Sequence, residues 1–226
     1  MREEPAYILT HDVERFSHYE TGYSADVAIQ NVRMDERLRI FDDKPIDVPD
    51  PVIYSGYLPI INTLDFPVAD NSWLIMSRQM VDALMAAGRF DYRSYPVVIT
   101  DSRYLPSQWR DNGGRFRNEM VISGFVAIQL FERLDIFDFE LSKYESDPDF
   151  PDFIGNVTEY VFKIPPAGLP PIFHIKGEPV KVFISHAGRV ALRKAEIRGV
   201  EYISLKGIQG GDGMFVDVEV SSPADN

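Results

Sequence analysis

The sequence predicts an α+β fold, in which a mixed sheet of many short strands is accompanied by a few short helices. Three observations lead to this prediction. Apolar runs of strand length recur along the chain between clusters of proline, glycine and acidic residues. Two segments, 77–88 and 185–196, place apolar residues at helical spacing behind a serine. Finally, 226 residues with 45% hydrophobic content suffice for a sizeable core.

The first half of the chain contains one predicted helix and several strands. Apolar runs predict strands or short extended pieces at 6–10, 52–54, 58–61, 73–76 and 96–99. Ser77 stands at an N-cap position and Gly88 at a C-terminal stop, which predicts a helix between them. Pro96 is the first residue of its run, where a proline costs little. Residues 101–118 are polar and predict a loop.

The second half contains a second predicted helix among more strands. Apolar or alternating runs predict strands at 120–130, 157–164, 172–175, 182–185, 200–203 and 214–220. The alternating run at 131–141 predicts one strand or a strand pair. Four prolines make 165–171 a stiff connector, and four glycines make 207–213 a flexible turn. Ser185 is an N-cap candidate for a helix at 187–196. The predicted core of this half includes four apolar strand residues, Phe173, Ile175, Phe183 and Val200.

The two helical segments are similar to each other. When Ser77 is placed on Ser185, each copy is a strand, a serine cap, a helix of three turns and another strand. Such a unit is either a common supersecondary element or the trace of a duplication. The chain therefore divides into an N-terminal region, 1–118, and a C-terminal region, 119–226, each with one unit, or it forms one continuous domain.

The chain is acidic, with a net charge of −12 from 35 acidic and 23 basic residues. This charge argues against nucleic acid as a direct partner, because binding to phosphates needs a basic surface. It permits a basic protein partner, which an acidic surface would attract and orient. Solubility alone is the other interpretation of the same charge.

Cysteine is absent, which excludes disulfides, thiolate zinc sites and cysteine nucleophiles. Residues 1–10 lack the apolar run of a signal peptide. No stretch of the sequence approaches the roughly 18–20 apolar residues that a membrane-spanning helix needs. We therefore expect a cytoplasmic protein without a membrane partner.

No motif of catalysis, metal binding or cofactor binding stands out, so the sequence assigns no residue to these roles. His11 and His18 lie seven residues apart, a spacing that suits neither a helical nor a strand metal site. His174 alternates with its apolar neighbours, which favours an exposed or hydrogen-bonded side chain over a metal ligand. The acidic segment 145–152 contains two prolines and lacks the glycine turn of a calcium loop. Carboxylates that meet only in the fold leave a hydrolase open as an alternative.

Five pieces of sequence between residues 120 and 205 resemble a bacterial immunity-protein family of polymorphic-toxin systems. This is the eleventh immunity family, formerly a domain of unknown function. The matching pieces are Leu134-Asp-Ile-Phe-Asp138, Tyr160-Val-Phe-Lys-Ile164, Pro171-Ile-Phe-His-Ile-Lys-Gly177, Val182-Phe-Ile-Ser185 and Ile197-Arg-Gly-Val-Glu-Tyr202. The Phe-x-Ile-x-Gly and Ile-x-Gly-Val-Glu-Tyr patterns are the most specific. His174 departs from the family, where arginine is more frequent, and this departure bears on the choice of partner.

The resemblance implies a non-enzymatic, cytoplasmic protein-binding module that neutralises a cognate toxin by covering its surface. It implies no catalytic residue, cofactor or metal. The same scaffold also serves regulators, so a regulatory or structural interaction protein is the alternative. The resemblance specifies neither the toxin nor the oligomeric state.

Two loops are the predicted binding surfaces. The loop at 109–117 carries tryptophan and arginine, which are enriched at interface hot spots. The loop at 145–152 is acidic, and its prolines restrict it, which lowers the entropy that is lost on binding. The candidate contact residues in these loops are Trp109, Arg110, Arg115, Asp147, Asp149, Phe150 and Asp152.

Overall fold

The computed structural model of the protein describes residues 4–12, 25–70, 73–146 and 154–206, and two large β-sheets, a two-stranded hairpin and two helices of about three turns dominate these residues. The predicted turn at 207–213 and the predicted strand at 214–220 lie outside these residues. Many short strands with few helices confirm the predicted α+β class.

The described residues form thirteen strands and four α-helices. The strands are β1 Ala6–His11, β2 Asp26–Ile29, β3 Val52–Gly56, β4 Val68–Ala69, β5 Leu74–Ser77, β6 Tyr92–Asp101, β7 Val121–Leu130, β8 Arg133–Leu134, β9 Lys143–Ser146, β10 Ile154–Glu159, β11 Ile172–Ile175, β12 Glu178–Ser185 and β13 Val200–Ser204. The helices are α1 Met34–Arg37, α2 Leu58–Ile61, α3 Arg78–Ala87 and α4 His186–Lys194. Short 3₁₀ turns occupy Leu38–Phe41, Pro106–Gln108 and Asn118–Met120.

The strands are arranged in two mixed sheets and one hairpin. The first sheet has the order β4-β2-β3-β6-β7-β5, and the second has the order β13-β1-β12-β11-β8. Strands β9 and β10 form a separate antiparallel pair. The pairs β2–β4, β3–β6 and β8–β11 are parallel, and the other pairs are antiparallel.

The first sheet must curl, because β4 and β5 lie at its opposite edges but are close together in the sequence. A flat sheet of six strands would be about 24 Å wide. The five peptide links from Ala69 to Leu74 span at most about 18 Å. The two edge strands accordingly approach each other. Buried side chains from all six strands share one core, which the concave side of the sheet encloses.

A second core joins the two sheets through the helices. Helices α3 and α4 pack against each other, and their buried side chains share one cluster with residues of β5 and β7 from the first sheet and of β1, β11, β12 and β13 from the second. A third core lies on the other face of the second sheet, beneath the β9–β10 hairpin. Strands β1, β7 and β12 therefore have buried side chains on both faces. The four predicted core residues, Phe173, Ile175, Phe183 and Val200, are all buried, as predicted.

Both long helices begin as the sequence predicts. The Ser77 hydroxyl accepts a hydrogen bond from the Met80 amide at 3.1 Å, and the Ser185 hydroxyl accepts one from the Gly188 amide at 3.2 Å. Each cap satisfies one amide that the first turn of a helix leaves without a partner. The strand–serine–helix similarity in the sequence thus corresponds to two structurally similar units.

Three local predictions are wrong. Residues 58–61 are a helical turn, which Pro59 tolerates because it lies in the first turn, where its missing N–H is not needed. Pro96 was predicted at the first position of its strand, but it lies inside β6, one residue before the stretch that pairs with β3. Residues 131–141 contain only the two-residue strand β8 and a single bridge from Phe137 to Phe162, because most of this alternating run covers the third core.

Two glycines of the family-like patterns have backbone conformations that other residues avoid. Gly177 has φ of +85° in the tight turn between β11 and β12. Gly199 has φ of +83° and packs against Leu64 and the Phe66 carbonyl. Next to it, Asp65 accepts hydrogen bonds from the Arg198 amide and side chain, which ties β13 to the connection between β3 and β4. These patterns therefore specify backbone geometry.

The sequence-based boundary at 118/119 falls between β6 and β7, which pair along their length. Strand β1 from the N-terminal region lies between β12 and β13 of the C-terminal region. Among the described residues, no helix is long and apolar enough to cross a membrane.

Candidate protein-binding loop

The connection between β6 and β7, residues 102–120, is the more fully described of the two predicted binding surfaces. We call it the arginine loop, because it contains Arg103, Arg110, Arg115 and Arg117. Two acidic residues, Asp111 and Glu119, accompany these four arginines. All residues of the loop are exposed except Trp109, which is buried, and Phe116 and Met120, which are partly buried. The loop is therefore a basic, solvent-facing segment of an acidic chain.

The base of the loop is fixed by Asp101, the last residue of β6. The Asp101 side chain is buried and accepts hydrogen bonds from the backbone amide of Arg103 at 3.1 Å and from its Nε at 3.0 Å. Burial alone would raise the pKa of Asp101, but the hydrogen bonds and the charge of Arg103 outweigh burial and hold this pKa below its usual range. The pair forms at neutral pH.

Trp109 is the second anchor. Its side chain is only 7% exposed, and its indole Nε1 donates to the Asp101 carbonyl at 3.2 Å. A side chain in this position holds the loop against the body of the protein and offers little surface to a partner. The structure thus removes Trp109 from the predicted contact residues.

Residues 109–117 form a small hairpin, which we call the arginine hairpin. The Arg117 amide donates to the Trp109 carbonyl, and the Asp111 amide donates to the Arg115 carbonyl, both at 2.9 Å. One carboxylate oxygen of Asp111 accepts the amides of Gly113 and Arg115, also at 2.9 Å. An Asp side chain that binds amides two and four residues ahead stabilises a tight turn. These hydrogen bonds brace both the base and the tip of the hairpin.

Arg110 and Arg115, the two predicted arginines, are both exposed. The Arg110 guanidinium lies 3.9 Å from the centroid of the Phe116 ring, and its Nη1 donates to the Gly114 carbonyl at 2.6 Å. Stacking on an aromatic ring restrains the arginine and leaves its outer N–H groups accessible.

Arg103, Tyr104 and Leu105 lie outside the predicted loop 109–117, and Arg117 lies within it but was not among the predicted contact residues. Arg103 and Arg117 add charge, and Tyr104 and Leu105 add apolar area, since they are 38% and 68% exposed. The sequence signal for this surface is Leu105, an apolar residue in a polar loop where no run of apolar residues at strand or helix spacing provides a core for it.

The four acidic-loop candidates, Asp147, Asp149, Phe150 and Asp152, lie outside the described residues. The structure describes the β9–β10 hairpin at the base of this loop. There, Lys143 and Glu159 form an exposed ion pair at 2.8 Å. The prediction for the acidic loop remains a prediction.

A turn before β9 displays a second apolar surface. The carboxylate of Asp138 accepts the amides of Glu140 and Leu141 at 3.0 and 3.2 Å. Phe139 and Leu141 project from this turn and are 54% and 65% exposed. Phe139 packs edge-on against Phe137, with 4.9 Å between the ring centroids, at the margin of the third core. Unlike the arginine loop, residues 138–141 contain no basic side chain.

His174, a predicted non-ligand, lies in β11 of the second sheet. His174 is 6% exposed, and its Nδ1 lies 2.8 Å from the Lys181 carbonyl, which confirms the hydrogen-bonded alternative of the prediction. Burial, together with the charge of Arg133, lowers the pKa of His174. No group of three metal-ligating side chains is found in the part of the chain that the structure describes.

Buried tyrosines next to charged groups also have structural roles. The Tyr160 hydroxyl donates to Glu178 at 3.5 Å and accepts from the Lys181 ammonium at 3.0 Å, and burial raises the pKa of Tyr160. Burial raises the pKa of Tyr202 to about 12, while Arg189 stacks nearby at 5.5 Å from its ring. Both tyrosines are therefore neutral at physiological pH.

Comparison with known proteins gives no assignment, since no family model matches the chain and no curated protein matches it significantly.

Proposed function

We propose that this protein is a non-enzymatic, cytoplasmic protein-binding module that acts by covering a surface of its partner. The observation that carries the proposal is the arginine loop, which is exposed, internally braced and rich in residue types that dominate interfaces. In a chain of net charge −12, a basic loop with an exposed leucine is a local feature that solubility does not require.

The rigidity of the loop supports a binding role. A partner that docks on a preformed segment does not have to order it, so less conformational entropy is lost in the complex. Asp101 and Trp109 hold the base of the loop, and the amides that Asp111 binds hold its tip.

The nature of the partner follows from the resemblance of residues 120–205 to toxin-neutralising immunity proteins. A cognate toxin is the partner that this resemblance favours, and a regulatory protein is the alternative on the same scaffold. Expression of the captured partner with and without this protein distinguishes a toxin from a regulatory protein. A toxin alone arrests growth, and coexpression of this protein restores growth.

A capture experiment with matched variants tests the proposal. Purified wild-type protein is immobilised and exposed to a lysate of the organism that encodes it, beside two double variants. Leu105→Ser/Arg115→Gln alters the arginine loop. Val180→Ser/Arg89→Gln makes the same kinds of change at exposed positions elsewhere.

We expect one protein that is retained by the wild type and by the control variant and is lost with the loop variant. Circular dichroism spectra and melting curves verify that both variants fold. A partner that both variants retain equally would show that the binding surface lies elsewhere, and the absence of any specific partner would refute the proposal.

A further inference from the structure

We propose that the arginine hairpin, residues 109–117, binds a carboxylate-rich segment of the partner protein. This inference rests on the proposed function and specifies the chemistry of the contact. It differs from the basic partner that the net charge of the chain permits.

The first argument is the charge balance within the hairpin. Arg110, Arg115 and Arg117 are exposed, and no carboxylate of the described residues lies within 4.0 Å of their guanidinium groups. Arg103, at the base of the loop, is different because it is paired with Asp101. In a chain with 35 acidic and 23 basic residues, three neighbouring arginines without an acidic partner are unexpected.

The second argument is the number of unused donors. Each guanidinium carries five N–H donors in a planar fork that matches a carboxylate. Among the described residues, these three groups donate only two hydrogen bonds, from Arg110 to the Gly114 carbonyl and from the Arg117 Nε to the Arg110 carbonyl at 3.3 Å. Most of their donors face solvent and are available to a partner.

The third argument concerns the type of acidic ligand. Arginine forks also bind phosphates, but a nucleic acid carries a dense line of charge that the net charge of −12 repels. A short acidic segment of a partner carries few charges. Salt screens its repulsion by acidic residues of this protein that lie farther away than a Debye length of about 8 Å. The exposed Leu105 and Tyr104 beside the hairpin provide apolar contact of the kind found at protein interfaces.

The test is a nuclear magnetic resonance titration of the ¹⁵N-labelled chain with three probes near physiological salt. The probes are a decapeptide of alternating glutamate and serine, the matching decapeptide of lysine and serine, and decathymidylate. We expect the glutamate peptide to shift the amide resonances of residues 109–117, and the lysine peptide to leave them unchanged.

Variants locate the contact. Arg115→Gln removes a guanidinium that makes no hydrogen bond, ion pair or ring contact with the described residues, and should weaken binding of the glutamate peptide about threefold or more. Replacing all three hairpin arginines by glutamine should abolish binding. Arg89→Gln, an exposed arginine outside the loop, should leave it unchanged. If the triple variant does not fold, Arg115→Glu decides, because it reverses one charge without removing a bond that braces the hairpin.

Three results would overturn the inference. These are unchanged hairpin resonances with the glutamate peptide, equal affinity of wild type and Arg115 variants, and tighter binding of decathymidylate at the same residues. If the glutamate peptide fails while a captured partner still depends on the loop, only this inference is refuted and the proposed function stands.

Discussion

At the scale of single residues, burial lowers the pKa values of two histidines, His11 and His174. His11, at the end of β1, stacks on Phe66 with 4.0 Å between ring centroids, and its Nε2 is buried with no hydrogen-bond partner among the described residues. Burial lowers the pKa of His11 to about 4, against the opposing effects of Asp26 and of a hydrogen bond with the Pro67 backbone. A histidine in this environment is neutral in the folded protein.

This arrangement predicts a loss of stability in mild acid. The pKa of His11 is lower in the folded state than in the unfolded state, so the unfolded state binds more protons between pH 6.5 and about 4. Stability is therefore fully present above pH 6.5 and declines as the pH falls, by about 2 kcal/mol near pH 5. His174 contributes in the same direction.

Urea unfolding near neutral pH and near pH 5 measures the effect. His11→Phe keeps the ring stack on Phe66 and should remove a large part of the difference between the two pH values. An unchanged pH dependence in this variant would mean that His11 titrates normally in the folded protein.

At the same scale, the sequence predicts the role of a side chain only where that role depends on residues nearby in the sequence. Ser77 and Ser185 are recognisable caps because capping depends on neighbours within one turn. Trp109 was predicted at an interface because its residue type is frequent there, whereas its burial depends on its hydrogen bond to Asp101 at the base of the loop. A local pattern does not contain that contact.

At the scale of elements, buried polar clamps position segments that have little regular structure. Gln129 on β7 is fully buried. Its Nε2 donates to the carbonyls of Asp42 and Lys44 at 3.1 and 2.9 Å, and its Oε1 accepts from the Tyr95 hydroxyl at 2.8 Å. This side chain holds the segment after α1 over the concave side of the first sheet. No local pattern indicates this contact, because the two carbonyl partners are more than eighty residues away in the sequence.

Removing the clamp should destabilise the protein. Gln129→Leu has a similar volume but deprives the Tyr95 hydroxyl and the carbonyls of Asp42 and Lys44 of this hydrogen-bond partner, at a cost of about 2–4 kcal/mol. The matched change Gln79→Leu, at an exposed glutamine with one hydrogen bond, should stay within about 0.5 kcal/mol. Chemical denaturation measures both, and equal stability of the two variants would contradict the role of Gln129.

Strand β12 provides a second prediction at this scale. Phe183 is fully buried and stacks on Phe173 with 5.8 Å between ring centroids, so Phe183→Ala should cost about 3–5 kcal/mol. Val180→Ala, at a half-exposed position of the same strand, should cost little. A loss below about 1 kcal/mol for Phe183→Ala in urea unfolding would mean that the strand is misplaced.

At the scale of the whole molecule, three cores stack around two sheets and the two long helices. The alternation of side chains in β1, β7 and β12 assigns successive residues to different cores, which explains why these strands read as continuous apolar runs. Such apolar runs in the sequence predict strands and helices. They do not predict the sheet order or the curled first sheet, because these depend on long-range pairings such as β1 with β12.

Net charge makes a prediction about the complex. At about 0.15 M salt, long-range repulsion between the acidic chain and an acidic segment is already screened, while the arginine contacts act at short range. Affinity for the captured partner should therefore fall as salt is raised toward about 0.5 M. Titration calorimetry at two salt concentrations measures this, and an affinity that does not change would argue against a contact through charged groups.

The footprint of the partner on this chain tests the central claim most directly. Hydrogen–deuterium exchange of the complex and of the free protein is compared for peptides that cover residues 102–120 and, as an internal control, residues 178–185. We expect slower exchange in the arginine loop of the complex and unchanged exchange in the control strand. Unchanged exchange in the loop, with protection confined to other surfaces, would contradict this claim.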